Sequence, residues 1–500
     1  MSVAPKPEPR TSSVAPIFPV AMAVAWILEA FLASGDPLPY LWRPLLITTA
    51  AAVLITGAAW ALGGGRPVPQ LIIGLGLLVF LKAWPLVGAV MAVLLWRLVV
   101  DALRRRAGRR PFRVQAAVQV VGLANLFGLA LLGVAGLSLI FGGVGTSSTQ
   151  AATRGSASPS APNIYLILLD GYPRQDSLEA LGIDNAEFIK DLGARGFAVA
   201  SRSRTNYHDT TLTLTSMLNG RYLADLPELA DSPGDRAGEY RLMNRALNGA
   251  RLLNDLREHG YTILDSPSAY GPAEIFSADV HLTPGAINHF DLRILSRNFL
   301  GDALSILTPG LVDGWLRDGV TAPMRNVQAV AASGSGSPFF VFAHVLSPHP
   351  PFLFDAQGAD PGVKACYADG CSRWTTERKV LGITAAEYAR LLAGQISYLN
   401  GRLLGMVDRI TDEDPTAVVI LFGDHGIRFD AGVSLEYFRN FFAARTPGHG
   451  SLFPDDVSPV NVLTGIENAY LGTTFPIREY EAWESKGLLL NLSRWLPDPT

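Results

Sequence analysis

The first 145 residues alternate between long apolar stretches and short polar loops. A bilayer core of about 30 Å requires roughly 20 apolar residues per helix, and three stretches meet that length. A fourth is longer, and Lys82-Ala83-Trp84-Pro85 interrupts it with a charge and a helix breaker, which favours a hairpin of two short helices. The pattern predicts about five membrane-spanning helices. They occupy residues 14–33, 44–62, two parts of 68–100, and 114–141.

Basic residues beside the predicted spans indicate their orientation. Arginines at 104–106, 109, 110 and 113 lie between apolar stretches, and such clusters are retained on the cytoplasmic side. Five spans with a cytoplasmic N-terminus, or four with this loop inside, carry the remaining chain out of the cytoplasm. We therefore expect a multi-pass protein of a bacterial inner membrane. The net charge of −3 over 500 residues argues against a nucleic-acid partner.

The chain changes character after the last apolar stretch. Residues 146–161 are rich in Ser, Thr and Ala without a hydrophobic period, which is typical of a flexible linker. Short apolar runs associated with helical periodicity follow, and they predict an α/β domain with a central, mostly parallel sheet. These runs occupy residues 163–169, 338–346 and 417–422. The expected domains are a transmembrane domain at 1–145, the linker, and an extracytoplasmic catalytic domain at 162–500.

Both cysteines, Cys366 and Cys371, lie in the segment KACYADGCSRW. Four intervening residues can close into a disulfide, which an oxidising compartment would preserve. Two free thiols on a loop are the alternative. Zinc binding is poorly supported, because no second Cys or His pair stands at a suitable spacing.

Polar residues follow three of the apolar runs. Asp170 ends the first run, His349 follows the middle one in SPHPPF, and Asp424-His425 follow the last in VVILFGDHG. Sites in α/β sheets gather beyond the carboxyl ends of strands, and Asp with His can hold Zn²⁺ or Mn²⁺. An ordinary turn at Asp170 or a loop cap at Asp424 is the alternative. The coincidence of all four at equivalent strand ends favours a divalent metal site.

A hydroxyl-rich segment, NYHDTTLTLTSMLNGRY, covers residues 206–222. Asp209 or Thr210 can cap a helix that begins there, which is the structural interpretation. The functional interpretation is that one hydroxyl is activated by a metal at the helix N-terminus and attacks phosphorus.

These motifs, in this order, resemble the alkaline phosphatase and sulfatase superfamily over most of 162–476. PNIYLILLDG is similar to the first metal-binding strand, and NGRY to the turn after the nucleophile helix. FFVFAHVLSPHPPF is similar to the central substrate-binding strand, and VVILFGDHG to the closing metal motif. The resemblance implies a membrane-anchored enzyme like lipoteichoic acid synthases and phosphoethanolamine transferases, which carry a multi-span anchor and an outward catalytic domain.

The resemblance also implies roles for individual residues. Counting back ten residues from Gly220 gives Thr210 as the nucleophile, with Thr211 as the near competitor. Asp170, Thr210, Asp424 and His425 would bind the metal. His349 would contact the transferred phosphate or protonate the leaving group. A threonine in place of the modifiable Cys or Ser of true sulfatases disfavours sulfate esters.

One divalent ion is expected, Mn²⁺ or Zn²⁺ first and Mg²⁺ or Ca²⁺ as alternatives. His344 stands five residues before His349 without the Asp of two-metal relatives, and is interpreted as a buried strand histidine. The leading function is transfer of a phosphate-containing headgroup, of phosphoglycerol or phosphoethanolamine type, from a membrane lipid to an envelope glycan or lipid. A phosphodiesterase, phosphatase or sulfatase-type hydrolase of the same fold is the alternative. A non-catalytic envelope binding protein is the alternative of another class.

Overall fold

The computed structural model of the chain covers most of both predicted domains. The described residues are 17–34, 36, 38–62, 72, 74–76, 79, 84–107, 114–141, 161–231, 234–334, 338–362, 382–428, 433–486 and 488–495. They form two compact units, one within 1–145 that also takes in 293–303, and one within 146–292 and 304–500. Both cysteines and nearly all of the predicted linker lie outside the described residues. The disulfide and the domain boundaries therefore stay predictions.

The first unit is helical where the sequence has its long apolar stretches. Its helices in the described residues include α1 (Phe18–Leu32), α2 (Trp42–Leu62), α3 (Trp84–Arg106) and α4 (Val114–Phe141). α4 coincides with the last predicted span. α3 begins at the predicted break, because proline is tolerated in the first turn of a helix.

Membrane crossing is supported to different degrees along this unit. Among the described residues, Leu38–Ala61 is long and apolar enough to cross a membrane, with a mean hydropathy of 1.7. Phe18–Leu32 and Val121–Leu137 are shorter apolar helices. The first half of the predicted hairpin lies mostly outside the described residues, so the count of five spans stays a prediction.

A polar contact holds two helices of the first unit together. The Asn125 side-chain oxygen on α4 accepts hydrogen bonds of 2.8 Å from the backbone N–H groups of Ile17 and Phe18 at the start of α1. These are two of the amide groups that a helix N-terminus leaves without an intrahelical acceptor. Asn125 therefore caps α1 from the neighbouring helix.

The second unit is built from short strands and intervening helices. The strands are β1 (Ile164–Leu169), β2 (Ala198–Val199), β3 (Thr262–Ser266), β4 (Val280–His281), β5 (Phe339–Val345), β6 (Val418–Gly423), β7 (Phe442–Arg445), β8 (Trp483–Ser485) and β9 (Leu492–Arg494). The helices that follow β1 are α5 (Gln175–Ala180), α6 (Ala186–Ala194), α7 (Thr210–Asn219), α8 (Arg236–Asn248), α9 (Arg251–Glu258), α10 (His289–Leu295), α11 (Phe299–Leu307), α12 (Pro309–Ser333), α13 (Ala385–Glu413) and α14 (Pro459–Ile466).

The central sheet is mixed but mostly parallel. Among the described residues its order is β2-β7-β6-β1-β5-β3-β4, and a separate hairpin pairs β8 with β9. β1 pairs in parallel with both β5 and β6, while β7 runs antiparallel to β6 and to β2. This confirms the predicted mostly parallel sheet. The predicted apolar runs at 163–169, 338–346 and 417–422 form its three adjacent central strands.

Helices cover both faces of this sheet, as the continuous apolar runs predict. Successive side chains on a strand point to opposite faces. Ile167 of β1 therefore packs in one core with Val327 of α12 and Leu399 of α13. Leu166 packs in the other core with Leu214 of α7. The carboxyl ends of β1, β5 and β6, which are buried along their whole length, consequently meet at one edge of the sheet.

Candidate metal centre

Four predicted site residues converge at that edge. Asp170 follows β1, His349 lies four residues beyond β5, and Asp424-His425 follow β6. The backbone N–H of His349 donates to the carbonyl of Asp170 over 2.9 Å, which ties the two loops together. One ligand atom from each of Asp170, His349 and His425 lies within 4.8 Å of the others. The structure thus brings these residues together, while their chemical roles stay predictions.

The carboxylates and one imidazole surround a common point. His425 Nε2 lies 3.4 Å from Asp170 Oδ1 and 3.8 Å from Asp424 Oδ2. Both oxygens are buried and make no hydrogen bond within the described residues. Ligand bonds of about 2.0–2.2 Å in a tetrahedral arrangement place ligand atoms roughly 3.3–3.6 Å apart. The 3.4 Å distance lies within this range and the 3.8 Å distance lies slightly above it. Two unpartnered buried oxygens and a ring nitrogen so arranged fit a divalent metal ion.

Hydrogen bonds turn each carboxylate toward that point. Asp170 Oδ2 accepts from His344 Nε2 over 3.2 Å, and His344 Nδ1 in turn accepts from the Ser268 hydroxyl over 2.8 Å. Asp424 Oδ1 accepts from the backbone N–H of Gly171 over 2.8 Å. Each carboxylate therefore has one tethered oxygen and one oxygen that faces the centre. Such tethering is the usual support of a metal ligand.

The two imidazoles are oriented in the same manner. His425 Nδ1 lies 2.8 Å from the carbonyl of Gly426, and His349 Nδ1 lies 2.6 Å from that of Pro350. A carbonyl can only accept, so each Nδ1 carries the proton and each Nε2 offers its lone pair. Arg428 Nη2 donates to both, at 2.9 Å from His425 Nε2 and 3.1 Å from His349 Nε2.

Gly171 allows this close packing. Its φ of +66° lies in the left-handed region that favours glycine. A Cβ atom at this position would stand 3.0 Å from His425 Cε1 and 3.5 Å from His349 Cδ2. The Asp-Gly pair therefore both turns the chain after β1 and leaves room for the two imidazoles.

The hydroxyl-rich segment forms helix α7, and the helix begins where the sequence predicts it. Asp209 is the N-cap, and its Oδ1 accepts from the backbone N–H groups of Thr211 at 3.0 Å and Leu212 at 3.3 Å. Thr210 is thus the first helical residue. Both interpretations of the segment are compatible, because Asp209 caps the helix and leaves the Thr210 hydroxyl available.

The two candidate nucleophiles face different partners. The Thr210 side chain lies beside the Asp424 carboxylate, which faces the metal centre. The Thr211 side chain is buried beside the Tyr270 phenol instead. The helix N-terminus adds a partial positive charge at Thr210. The geometry favours Thr210 over Thr211 as the nucleophile.

Burial and hydrogen bonding set the protonation of the centre. Burial opposes ionisation of Asp170, but the neighbouring His349 and the hydrogen bond from His344 hold the pKa of Asp170 well below its usual value. Burial raises the pKa of Asp424, although His425 acts in the opposite direction. Burial also lowers the pKa of His349 to about 4. At neutral pH a neutral His349 therefore faces an anionic Asp170.

The centre opens into a recess of about 360 Å³ that includes its open mouth. One wall is polar and contains His349, His425 and Arg428. The other wall contains Tyr388 and Leu392, both on α13. A recess with one polar and one apolar wall suits an ester whose charged group faces the metal and whose carbon part packs opposite.

Three residues outside the predicted site set also organise the centre. His344, interpreted as a buried strand histidine, is buried but also orients Asp170. The Thr213 hydroxyl lies 3.0 Å from the backbone carbonyl of Asp424 and links α7 to that loop. Arg428 contacts both imidazoles. A signal was present for His344, because a histidine within an apolar strand requires a polar partner once buried.

Comparison with known proteins gives structural likeness only. No protein-family model and no curated protein matches the chain. The C-terminal periplasmic domain of EptC from Escherichia coli is similar at 13% identity and a TM-score of 0.43, over 68% of this chain and 94% of that chain. Lipooligosaccharide phosphoethanolamine transferase A from Neisseria meningitidis, an integral membrane protein, is similar at 12% identity and a TM-score of 0.40, over 91% of this chain and 79% of that chain.

A sulfatase also shares this likeness. BT1596, a 2-O GAG sulfatase, is similar at 14% identity and a TM-score of 0.39, over 63% of this chain and 72% of that chain. The similar structures thus include enzymes of the superfamily that the motifs resemble. Identities below 15% and TM-scores below 0.5 do not establish an activity, so the function of this chain rests on its own site residues.

Proposed function

We propose that this chain is a membrane-anchored, metal-dependent phosphotransferase that uses Thr210 as its nucleophile. Its substrate is a membrane lipid with a phosphate-containing headgroup of phosphoglycerol or phosphoethanolamine type. Its acceptor is an envelope glycan or a second lipid outside the cytoplasm. The observation that carries the proposal is the position of the Thr210 side chain beside the Asp424 carboxylate at the start of α7, next to the buried unpartnered oxygens Asp170 Oδ1 and Asp424 Oδ2.

Asp170, Asp424 and His425 would hold the metal, together with Thr210. A divalent ion bound there supplies Lewis acidity, which lowers the pKa of a coordinated hydroxyl and offsets charge on phosphoryl oxygens. Thr210 Oγ1 attacks phosphorus, the bond from phosphorus to the leaving oxygen breaks, and a phosphothreonine ester forms. The hydroxyl proton that Thr210 loses balances the proton that the leaving alkoxide takes up to depart as the alcohol. The partial positive charge at the N-terminus of α7 would stabilise the anionic phosphoryl group.

His349 is suited to the second half of the reaction. Its Nδ1 proton is held by the carbonyl of Pro350, and its pKa of about 4 keeps Nε2 unprotonated at neutral pH. Nε2 can therefore accept the proton of an acceptor hydroxyl that attacks the phosphothreonine ester. Of the two roles expected for His349, this chemistry favours phosphate contact and proton acceptance over protonation of the leaving group.

Transfer, rather than hydrolysis, is the proposed outcome because of the apolar first unit. A catalytic domain tethered to a membrane meets lipid donors and lipid-linked acceptors at high effective concentration. Leu38–Ala61, which is long and apolar enough to cross a membrane, supports that tether. Hydrolysis by water at the same site is the competing outcome that product analysis distinguishes.

Mapping of the covalent intermediate tests the proposal. Purified full-length protein in detergent is incubated with phosphatidylglycerol or phosphatidylethanolamine and Mn²⁺ or Zn²⁺, then digested for mass spectrometry. We expect a phosphoglycerol or phosphoethanolamine adduct on Thr210. Thr210→Ala should lose both the adduct and turnover, whereas Thr211→Ala should keep both. Full turnover by Thr210→Ala would contradict the proposal.

Metal removal gives an independent check. Incubation with EDTA should abolish turnover, and added Mn²⁺ or Zn²⁺ should restore it in the wild type. Asp424→Asn should not recover with either ion, because the amide cannot replace the carboxylate that faces the centre. Undiminished activity after complete metal removal would exclude the metal-binding roles of Asp170 and His425.

A further inference from the structure

Arg428 lies in the recess without a carboxylate partner among the described residues. Its Nη2 donates to the Nε2 atoms of His425 and His349, and its Nη1 lies 3.4 Å from the carbonyl of His208. Within the described residues, its three hydrogen bonds thus end on two ring nitrogens and a carbonyl oxygen. Other arginines of this unit, such as Arg174 and Arg251, bind a carboxylate at short distance. In the part of the chain that the structure describes, Arg428 therefore brings a guanidinium without a paired carboxylate to the mouth of the centre.

This position fits an anion with several acceptor oxygens. A guanidinium is planar, always charged, and presents paired N–H donors that match two oxygens of a phosphate. Arg428 lines the same recess as His349 and His425 and is only half-buried. A phosphoryl group that enters this recess would therefore contact the guanidinium by the time it reaches Thr210.

The hydrogen bond from Arg428 to His425 is incompatible with metal coordination by the same ring nitrogen. His425 Nε2 has a single in-plane lone pair, which either accepts an N–H donor or coordinates a metal. Asp170 Oδ1 and Asp424 Oδ2 require the same Nε2 as the third ligand of the proposed centre. A metal ion on these three residues must therefore displace Arg428 Nη2 from His425. The displaced N–H donors then lie next to the site where phosphoryl oxygens arrive.

We infer that Arg428 binds the non-bridging phosphoryl oxygens of a phosphate ester and exchanges its imidazole partners for these oxygens when the metal binds. The inference rests on the proposed function, because it takes the metal position from that proposal. It assigns an anion subsite to Arg428 and His349, and it makes Arg428 a competitor of the metal at His425. Removal of the guanidinium should therefore lower the affinity for phosphate and raise the affinity for the metal.

Calorimetric titration of the full chain in detergent tests this inference. Zn²⁺ is titrated first, and inorganic phosphate is then titrated into the zinc-loaded protein. In Arg428→Ala we expect phosphate affinity to fall about tenfold or more, because charge-assisted hydrogen bonds are lost. We expect zinc affinity to rise about two- to tenfold, because one competing hydrogen bond and one positive charge are removed.

Two further variants separate charge from geometry. Arg428→Lys keeps the charge without the planar fork and should retain part of the phosphate affinity. Arg202→Ala removes the same charge from an exposed side chain paired with Asp455, and should change neither titration. Equal phosphate affinity in wild type and Arg428→Ala overturns the inference. A joint loss of zinc and phosphate affinity also overturns it, since that result indicates a merely structural role.

Asp170→Asn distinguishes failure of this inference from failure of the proposed function. If Asp170→Asn binds Zn²⁺ as tightly as the wild type, the proposed metal centre is wrong. The phosphate titrations of wild type and Arg428→Ala, repeated in excess chelator, then still decide whether Arg428 forms an anion subsite. If Asp170→Asn loses Zn²⁺ while Arg428→Ala shows the two opposite shifts, both proposals are supported.

Discussion

Apolar side chains are placed differently in α2 of the first unit and in the central strands of the second. In α2, Leu54 is 71% exposed, and Leu46 and Ile47 are also mostly exposed. In the second unit the apolar side chains of β1, β5 and β6 are buried, while Asp424 and His425 are almost inaccessible. Apolar side chains thus face the surroundings along α2 and the core in the central strands.

This difference supports the role that we propose for each unit. Exposed apolar side chains on a long helix are costly in water but not in lipid, which supports the proposed membrane anchor. Buried carboxylates are costly in any protein interior unless they are paired or bind a metal. The second unit tolerates them at one edge of its sheet, where a divalent ion would compensate them.

The largest expected effect is a pH dependence of the stability of the second unit, and it comes from the buried His349. The pKa of His349 is about 4 when folded and 6.5 in the ordinary state, so only the unfolded chain takes up the proton as the pH falls between these values. Stability of the second unit should therefore decrease across this window and level off below it. The His349 contribution is about 3 kcal/mol at full effect.

Thermal unfolding of the full chain from about pH 7 to pH 4 measures this contribution. His349→Gln should remove part of the decrease in stability with falling pH, because the glutamine amide does not titrate. His449→Gln, at an exposed histidine, should leave the pH dependence unchanged. An unaltered slope in His349→Gln would show that His349 is not held neutral in the folded chain.

The next effect contrasts two exposed apolar residues in different surroundings. Leu54 in α2 and Ile477 in the second unit are 71% and 60% exposed. Leu54→Arg should disfavour membrane insertion by about 3 kcal/mol, because arginine near the centre of a span is costly. Ile477→Arg should change stability by no more than about 0.5 kcal/mol, as is usual at a surface facing water.

Insertion of the first unit into microsomes, scored by glycosylation of engineered acceptor sites, measures the Leu54 effect. Unfolding of the full chain measures the Ile477 effect. Equal insertion of wild type and Leu54→Arg would contradict the assignment of α2 to the membrane.

A smaller effect tests how buried polar groups are tolerated in α7. Thr213 and Thr215 are both fully buried on this helix. The Thr213 hydroxyl contacts the carbonyls of Tyr207 and Asp424, whereas that of Thr215 has no hydrogen-bond partner in the described residues. Thr213→Val should cost about 1–2 kcal/mol, while Thr215→Val should be neutral or stabilising.

Denaturant unfolding of the two valine variants compares them directly, and Thr213→Val should also weaken metal binding through the Asp424 loop. Equal stability of both variants would mean that the contact of Thr213 with that loop contributes nothing measurable.

The strand ends and their polar residues could be predicted from the sequence. The apolar runs before Asp170 and Asp424 are continuous, which is typical of strands buried on both faces. The parallel order of β6, β1 and β5 then brings Asp170, His425 and His349 to one edge. The cap at Asp209 was also predictable, because Asp is a preferred N-cap before a helical run.

The other features of the site depend on the directions of side chains, which the spacing of residues along the sequence does not determine. The preference for Thr210 over Thr211 follows from a rotation of about 100° between successive helical residues, which only packing can fix. Arg428 reaches back to two imidazoles across a turn, and no period in the sequence indicates this. Nor does any pattern show that residues 293–303, within the predicted catalytic domain, belong to the first unit.

The central claim is a metal centre at the sheet edge that includes Thr210, and anomalous X-ray scattering tests it most directly. Crystals of the full chain grown with Zn²⁺ are measured at the zinc absorption edge. The account predicts one peak within about 2.0–2.2 Å of Asp170 Oδ1, Asp424 Oδ2, His425 Nε2 and Thr210 Oγ1. A zinc peak elsewhere, or a peak at this edge that Thr210 does not contact, would contradict it.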